Sequence, residues 1–228
     1  MSTSMRILEM PARPDAHLVE ELGSMVTPHL SDSMDRLYAG GATLRPMHRD
    51  GKLAGAAFTV RVAPGDNLLV HKALDMAQPG DVIVVDAGGL VANAIIGELM
   101  AAHAKQRGIA GLVIWGAIRD SGEIGAGTFP VYAVGVPHRG PYRNGPGEIN
   151  VPVVVGEMPV HPGDIIVGDA DGLVAVRQSD AQRILASAKA ILAKETAAMK
   201  NFLAGTADRK WVDQALKEKG YQLPQSTG

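Results

Sequence analysis

Four charged residues carry the chemistry that this sequence can be asked to do. Arg119 and Asp120 are adjacent, Glu123 follows three residues later, and twenty residues separate Glu98 from Arg119. The pair comes directly after the apolar run Gly111–Trp115 and the turn Gly116-Ala117. In α/β sheets ligands bind at the carboxyl ends of strands, so a charged pair at that place sits where a site would be. A guanidinium can clamp a planar carboxylate or a 2-oxo acid with two parallel hydrogen bonds. A carboxylate such as Asp120 can hold Mg²⁺, which commonly keeps several waters and takes only one or two protein carboxylates. The competing account of Arg119-Asp120 is a local surface ion pair. Upstream, Gly97-Glu98-Leu99-Met100 lies at or near the start of a helical stretch, Ala94–Arg107. A helix beginning there would offer free N–H groups and its dipole to a carboxylate.

Other chemistries find less support. The chain has no cysteine, which excludes disulfides, thiolate metal sites and thiol nucleophiles. Its seven histidines show no paired zinc spacing. Neither a Gly-x-Ser-x-Gly elbow nor a Gly-Lys-Ser/Thr phosphate loop is present. A Schiff-base lysine needs a desolvated setting, whereas Lys52, Lys72 and Lys105 lie in polar or amphipathic contexts. A net charge of -2 and 4% aromatic residues argue against a nucleic-acid partner, for want of phosphate-binding charge and stacking surfaces. The apolar runs fall far short of the ~20 residues that span a bilayer, and Met1–Met10 has no secretion pattern. The expectation is a cytoplasmic protein with no membrane partner.

The elements that must position these residues alternate between short apolar runs and helical stretches. Strands are expected at Phe58–Val62, Val82–Asp86, Gly111–Trp115, Val131–Val136, Val151–Val155, Ile165–Gly168 and Leu173–Val176. Helices are expected at Asp15–Met25, from Ser31 onward with Ser31 as the N-cap, at Asn67–Met76, and mainly over Ala94–Arg107. A long helix, Ser179–Leu203, is stopped by Gly205, and a shorter amphipathic one follows over Arg209–Lys219. Such alternation defines an α/β protein with a mostly buried sheet. Pro79–Gly89 matches Pro162–Gly172 at eight of eleven positions, which reads as a Pro-Gly turn feeding a strand that ends in an Asp/Gly turn. Asp169 and Asp171 lack the spacing of a calcium loop.

Taken together, Glu98, the twenty intervening residues and Arg119-Asp120 resemble the acidic-x20-Arg-Asp motif of the RraA-like family. The resemblance runs from about Ser31 to Glu195 and includes Pro79-Gly80-Asp81, Gly97–Met100, Gly116–Asp120, Asn150-Val151-Pro152-Val153 and Pro162–Gly172. That family includes class II pyruvate aldolases acting on 4-hydroxy-4-methyl-2-oxoglutarate and 4-carboxy-4-hydroxy-2-oxoadipate, and also regulators that inhibit a ribonuclease by protein–protein contact. The resemblance implies a layered α/β sandwich with a swivelling β/β/α-like core. It implies a catalytic domain over residues 1–205, a helical tail over 206–228 packed on that domain or on a neighbouring subunit, and a homotrimer or homohexamer. It further implies that amides at Gly97, Leu99 and Met100 bind the pyruvate carboxylate and that Arg119 contacts the pyruvate oxygens. Asp120 would anchor Mg²⁺ or Mn²⁺, Glu98 would act through a water, and Glu195 would reach the site from a neighbouring subunit. The substrate is then a small 2-oxo acid, with oxaloacetate decarboxylation as a companion activity. Glu98 departs from the Asp usual at its position, and Gly140–Glu148 departs from the aldolase pattern.

Overall fold

In the computed structural model, which describes residues 5–224, the centre of the chain is a nine-stranded sheet. Two helices precede it, α1 (Ala16–Ser24) and α2 (Thr27–Asp32). The sheet strands are β1 (Arg45–Pro46), β2 (Leu53–Val62), β3 (Asp81–Asp86), β4 (Ala94–Ile96), β5 (Gly111–Ile118), β6 (Val131–Gly135), β7 (Gly147–Ile149), β10 (Ile165–Asp169) and β11 (Gly172–Val176). Strands β8 (Val153–Val155) and β9 (Met158–Val160) form a separate hairpin. Crossing helices are α3 (Leu68–Met76), α4 (Glu98–Gln106) and the short α5 (Ser121–Ala126). The chain closes with α6 (Ala181–Leu203) and α7 (Lys210–Glu218). Met1–Ser4 of the amino-terminal segment and Gln225–Gly228 of the expected tail lie outside the described residues.

Strand order is β1-β6-β5-β3-β2-β10-β11, with β4 added to β5 and β7 to β2. Strands β2, β3, β5 and β6 run parallel, and β1, β10 and β11 extend the sheet antiparallel. The parallel strands are apolar on both faces because both faces are covered. Ile83 and Val85 of β3 pack with Val70 and Leu74 of α3 and Ala104 of α4. Val82 and Val84 point the other way and pack with Val153, Met158 and Val160 of the hairpin. A third cluster joins Ile165, Val167 and Val174 to Leu22, Leu30, Ile184 and Leu185. The two ends of the sheet approach each other. Arg45 on β1 donates to the carbonyls of Ala170 and Asp171, and the Tyr132 hydroxyl on β6 donates to the carbonyl of Asp169 at 2.9 Å. This is the layered α/β architecture expected from the sequence.

Several boundaries differ from expectation for local reasons. Helix α2 starts at Thr27, so Ser31 lies in its last turn and is not its cap. Pro28 suits the first turn, and the cap is supplied from afar. The Asp169 carboxylate accepts from Thr27 N at 2.8 Å and from Thr27 Oγ1 at 2.7 Å. The stretch Ala94–Arg107 is split, its first three residues forming β4 and the helix starting at Glu98. Helix α1 does begin after an Asp15 cap, whose Oδ1 accepts from Leu18 N at 3.0 Å. The repeated Pro-Gly-Asp turns are structural. Asp81 accepts from Gln78 N and Asp164 from His161 N, both at 2.8 Å, and each holds an arginine, Arg13 or Arg177.

By its internal contacts the chain divides into two units, Met1–Lys189 and Ala190–Gly228. The second contains the latter part of α6, Gly205 in the left-handed conformation that ends it, and α7. Among the described residues no helix is long and apolar enough to cross a membrane.

Candidate functional site

The juxtaposition of residues 97–100 with residues 119–120 follows from strand pairing. Strands β4 and β5 lie side by side and parallel, with Ile96 opposite Ile118, so their carboxyl ends coincide. The twenty residues between Glu98 and Arg119 are the helix α4 and the strand that brings the chain back beside β4. The ladder continues one step further, as Arg119 N donates to Ile96 O at 3.0 Å. Beyond it, Asp120 adopts the left-handed conformation, φ 57° and ψ 42°, which Asp tolerates better than most residues. That twist turns the carboxylate away from its own helix α5 and toward α4, where Oδ2 accepts from Glu98 N at 3.0 Å.

Gly97 makes the approach possible. A Cβ there would stand 2.3 Å from Asp120 Oδ2 and 3.2 Å from Arg119 Cγ. Gly140 performs the same service for the tip of Arg119, since a Cβ on it would lie 3.0 Å from Nη1. Gly97 is the N-cap of α4 without a side-chain cap, and Ala101 N is bonded to Gly97 O. Asp120 takes the Glu98 amide, so the amides of Leu99 and Met100 are the ones that remain for an anion at this helix end.

Arg119, Asp120, Gly97, Leu99 and Met100 line one cavity of about 140 Å³. The same cavity is lined by Asn67 at the N-cap of α3, by His71 of α3 and by Pro141 and Arg143 of the loop before β7. Asp66 fixes that loop. Its buried carboxylate accepts from Leu68 N at the start of α3 and from the amides of Asn144 and Gly145. The Arg119–Asp120 contact is long, 3.8 Å, and both side chains are well exposed, at 46% and 39%. A pair of that geometry contributes little to stability, so a merely structural account of it is weak.

The remaining expected residues fall elsewhere. Glu98 gives its backbone N–H to Asp120, but the residue lines a neighbouring cavity with Lys105, Glu123 and Ile124. Glu195 is exposed on α6 within the second unit, and the cavity is lined wholly by the first. Among the described residues no group of three or more His, Asp or Glu side chains could hold a metal. Asp120 is the one carboxylate among the residues lining the cavity. That donor set suits a hard ion completed by water and substrate oxygens rather than a caged structural ion. His71, Asn67 and Arg143 were not singled out by sequence reasoning. The available signal was an Asn N-cap with a histidine four residues on, one turn along the same helix face.

The fold and site define an α/β protein with an anion-receptive helix end and an Arg–Asp pair at the joint carboxyl end of two parallel strands. Comparison with known proteins narrows that class. The profile of the RraA-like family, described as Aldolase/RraA, matches residues 27–175, and the chain belongs to this family. A Halalkalibacterium halodurans protein, provisionally named a 4-hydroxy-4-methyl-2-oxoglutarate aldolase, is 39% identical over 178 residues, covering 78% of this chain and 85% of that one. The crystal structure of Streptomyces coelicolor RraAS2, described as an unusual member of the RNase ES inhibitor RraA family, superposes with a TM-score of 0.72 at 30% identity. It covers 82% of this chain and 97% of that one. The RNA-processing inhibitor RraA from Thermus superposes with a TM-score of 0.61 at 32% identity, covering 66% and 92%.

Proposed function

We propose that this protein is a divalent-metal-dependent lyase that breaks the C3–C4 bond of a 4-hydroxy-2-oxo diacid and releases pyruvate, with oxaloacetate decarboxylation as a side activity. The observation that carries the reading is the single cavity in which Arg119, Asp120 and the open amides of α4 converge. In this reading the amides of Leu99 and Met100 hold the C1 carboxylate. Arg119 binds the C2 oxygen and meets the negative charge that grows there as the bond breaks. Mg²⁺ or Mn²⁺ held at Asp120 would add Lewis-acid charge at the same oxygen. Arg143, which lines the same cavity, gives a diacid's second carboxylate a cation to face.

Glu98 enters only through a water, because it lines the neighbouring cavity and is not among the residues lining that of Arg119 and Asp120. Glu195 enters only through assembly of a homotrimer or homohexamer in which one subunit completes another's site. The same reading takes residues 1–205 as the catalytic domain and 206–228 as a tail packed on it or on a neighbour, in a cytoplasmic enzyme. The structural likeness to ribonuclease inhibitors supports a second reading, a regulator acting by protein contact.

Pyruvate release from 4-hydroxy-4-methyl-2-oxoglutarate and from oxaloacetate, with EDTA and then with Mg²⁺ restored, tests the lyase reading. The expected result is turnover lost to EDTA, regained with Mg²⁺ or Mn²⁺, and competitively inhibited by oxalate, which is planar like the enolate. Absence of cleavage above the metal-only background, with no oxalate binding, would leave the regulator.

A further inference from the structure

The cavity that contains Arg119 is also lined by two residues with a polar atom that the fold leaves unsatisfied. Asn67, at the N-cap of α3, is 1% exposed. Its Nδ2 donates to Ile95 O at 2.9 Å and lies 3.4 Å from Met100 Sδ. A carbonyl can only accept, so the amide nitrogen must face Ile95 and the oxygen must face away from it. Asn67 Oδ1 is buried and has no hydrogen-bond partner among the described residues. One helical turn on, Nε2 of the half-buried His71 is also shielded and without a partner among them. Both residues line the cavity that contains Arg119 and Asp120. A buried polar atom without a hydrogen-bond partner is costly to keep. Two of them, on adjacent turns of one helix and in residues that line the same cavity, fit a ligand group that donates a hydrogen bond, since Oδ1 only accepts and Nε2 accepts when the ring proton is on Nδ1.

In a 4-hydroxy-2-oxo diacid that group is the C4 hydroxyl. We infer that His71 is the base at the hydroxyl subsite, its Nε2 accepting the C4 O–H and taking its proton, while Asn67 Oδ1, an acceptor only, is left for the N–H that then forms on the ring. The inference rests on the lyase reading and deepens it, by assigning the base for the aldol cleavage. The C4 O–H proton passes to Nε2, and the O–H electron pair forms the C4 carbonyl. The C3–C4 pair moves into the enolate, held at its oxygen by Arg119. The enolate then takes a proton at C3 from solvent, and His71 returns its proton to solvent.

The surroundings keep the imidazole available as a base. Burial lowers its pKa first, and Arg143, which lines the same cavity, lowers it further. Asp75, one turn along α3, opposes this, while His103 on α4 works in the same direction as Arg143. The net displacement is below the usual imidazole value, so the ring is neutral at pH 7.

Oxaloacetate supplies the control, because its decarboxylation forms the same enolate with no C4 hydroxyl to deprotonate. The holoenzyme and His71→Gln are assayed side by side in Mg²⁺ for pyruvate release from 4-hydroxy-4-methyl-2-oxoglutarate and from oxaloacetate. Loss of a general base should cut kcat for aldol cleavage by about 10²-fold, and the ratio of aldol cleavage to decarboxylation should fall with it. An equal fall in both activities, or no fall in either, overturns the inference. The wild-type pH profile gives an independent check should the variant fail to fold. Aldol kcat/KM should drop as pH falls through a value below ~6.5, the ordinary imidazole pKa, while decarboxylation shows no matching limb. A limb shared by both substrates, or absent from both, overturns it equally. Wild-type protein that cleaves neither substrate overturns the lyase reading itself, so the two failures are told apart.

Discussion

Asp81 and Asp120 are both carboxylates beside an arginine, and the fold treats them in opposite ways. Asp81, at the start of β3, has a side chain only 1% exposed. It accepts a two-pronged contact from Arg13, at 2.8 and 2.7 Å, and a third bond from Gln78 N. The carboxylate beside Arg13 holds the guanidinium proton more tightly and raises its pKa. Asp120, at the end of β5, is 39% exposed, accepts from Glu98 N, and meets Arg119 at 3.8 Å without a fork. The first carboxylate is saturated by its own chain. The second is held in direction only, in a left-handed backbone conformation and against a glycine. A carboxylate that a fold aims but does not satisfy has capacity left for a ligand.

The contrast is broken most sharply at Asp120. Asp120→Asn keeps a residue that tolerates left-handed backbone and an oxygen for the Glu98 amide, while losing the anionic charge. Turnover in Mg²⁺ should fall on the order of 10³-fold, with thermal stability nearly unchanged because the site makes few contacts. Near-normal steady-state rates in this variant would return Asp120 to a structural role. The mirror experiment is Asp81→Asn, which leaves Arg13 facing a neutral amide in a buried place. Breaking such a pair costs about 3 kcal/mol, or roughly 6–12 °C in Tm for a chain of this size. Activity per folded molecule should persist, as calorimetry and kinetics on the same sample would show.

Arg119→Lys gives a somewhat smaller effect and sharpens the other half of the pair. Lysine keeps the charge but loses the planar fork. The expected fall in kcat/KM is about 10²-fold, with Tm little altered because the native contact with Asp120 is exposed and weak. A Tm loss as large as that of Asp81→Asn, with unchanged kinetics, would make the two pairs alike and remove the distinction.

The sequence made the frame of this contrast readable, and its site only in part. Val82–Asp86 and Gly111–Trp115 were legible as buried strands because apolar residues on both faces leave a continuous run. The start of α1 beside Asp15 was legible because the signals for it are local. The cap of α2 was not, because its carboxylate comes from Asp169 on a distant strand, and Ser31 offered a closer but wrong candidate. Strand β4 was hidden because three residues carry no period and the helix behind them does. The closeness of Glu98 N to Asp120 was implied by the motif. That Glu98 would line the neighbouring cavity was not, since that depends on which way the first turn of α4 faces. Asn67 and His71 escaped notice because their significance is an unmet hydrogen bond, which exists only once Ile95 and the 140–147 loop are in place.

The smallest expected effect lies in the repeat of the Asp81 turn. Asp164 sits in the same Pro-Gly-Asp frame and accepts the same local amide bond, but its arginine is looser, Arg177 at 3.1 and 3.5 Å. Burial outweighs these contacts, so the Asp164 pKa is raised in the folded protein rather than lowered. The consequence for stability has a definite sign. A carboxyl whose folded pKa exceeds its unfolded value binds its proton more tightly when folded. Its favourable contribution is present below the unfolded pKa, ordinarily ~3.9, and is lost as pH rises through the folded value. Asp164→Asn removes that dependence, since asparagine resembles the protonated carboxyl and retains an oxygen for His161 N. Relative to wild type the variant should gain stability as pH rises from about 4 toward 7. At pH 7 it should match or exceed wild type by about 1 kcal/mol or less, whereas Asp81→Asn falls well below it. Denaturant unfolding of the two variants and wild type across that range measures the difference. A loss at Asp164 equal to that at Asp81 would show that the local amide bond, common to both turns, sets their strength, and that the geometry of the arginine does not.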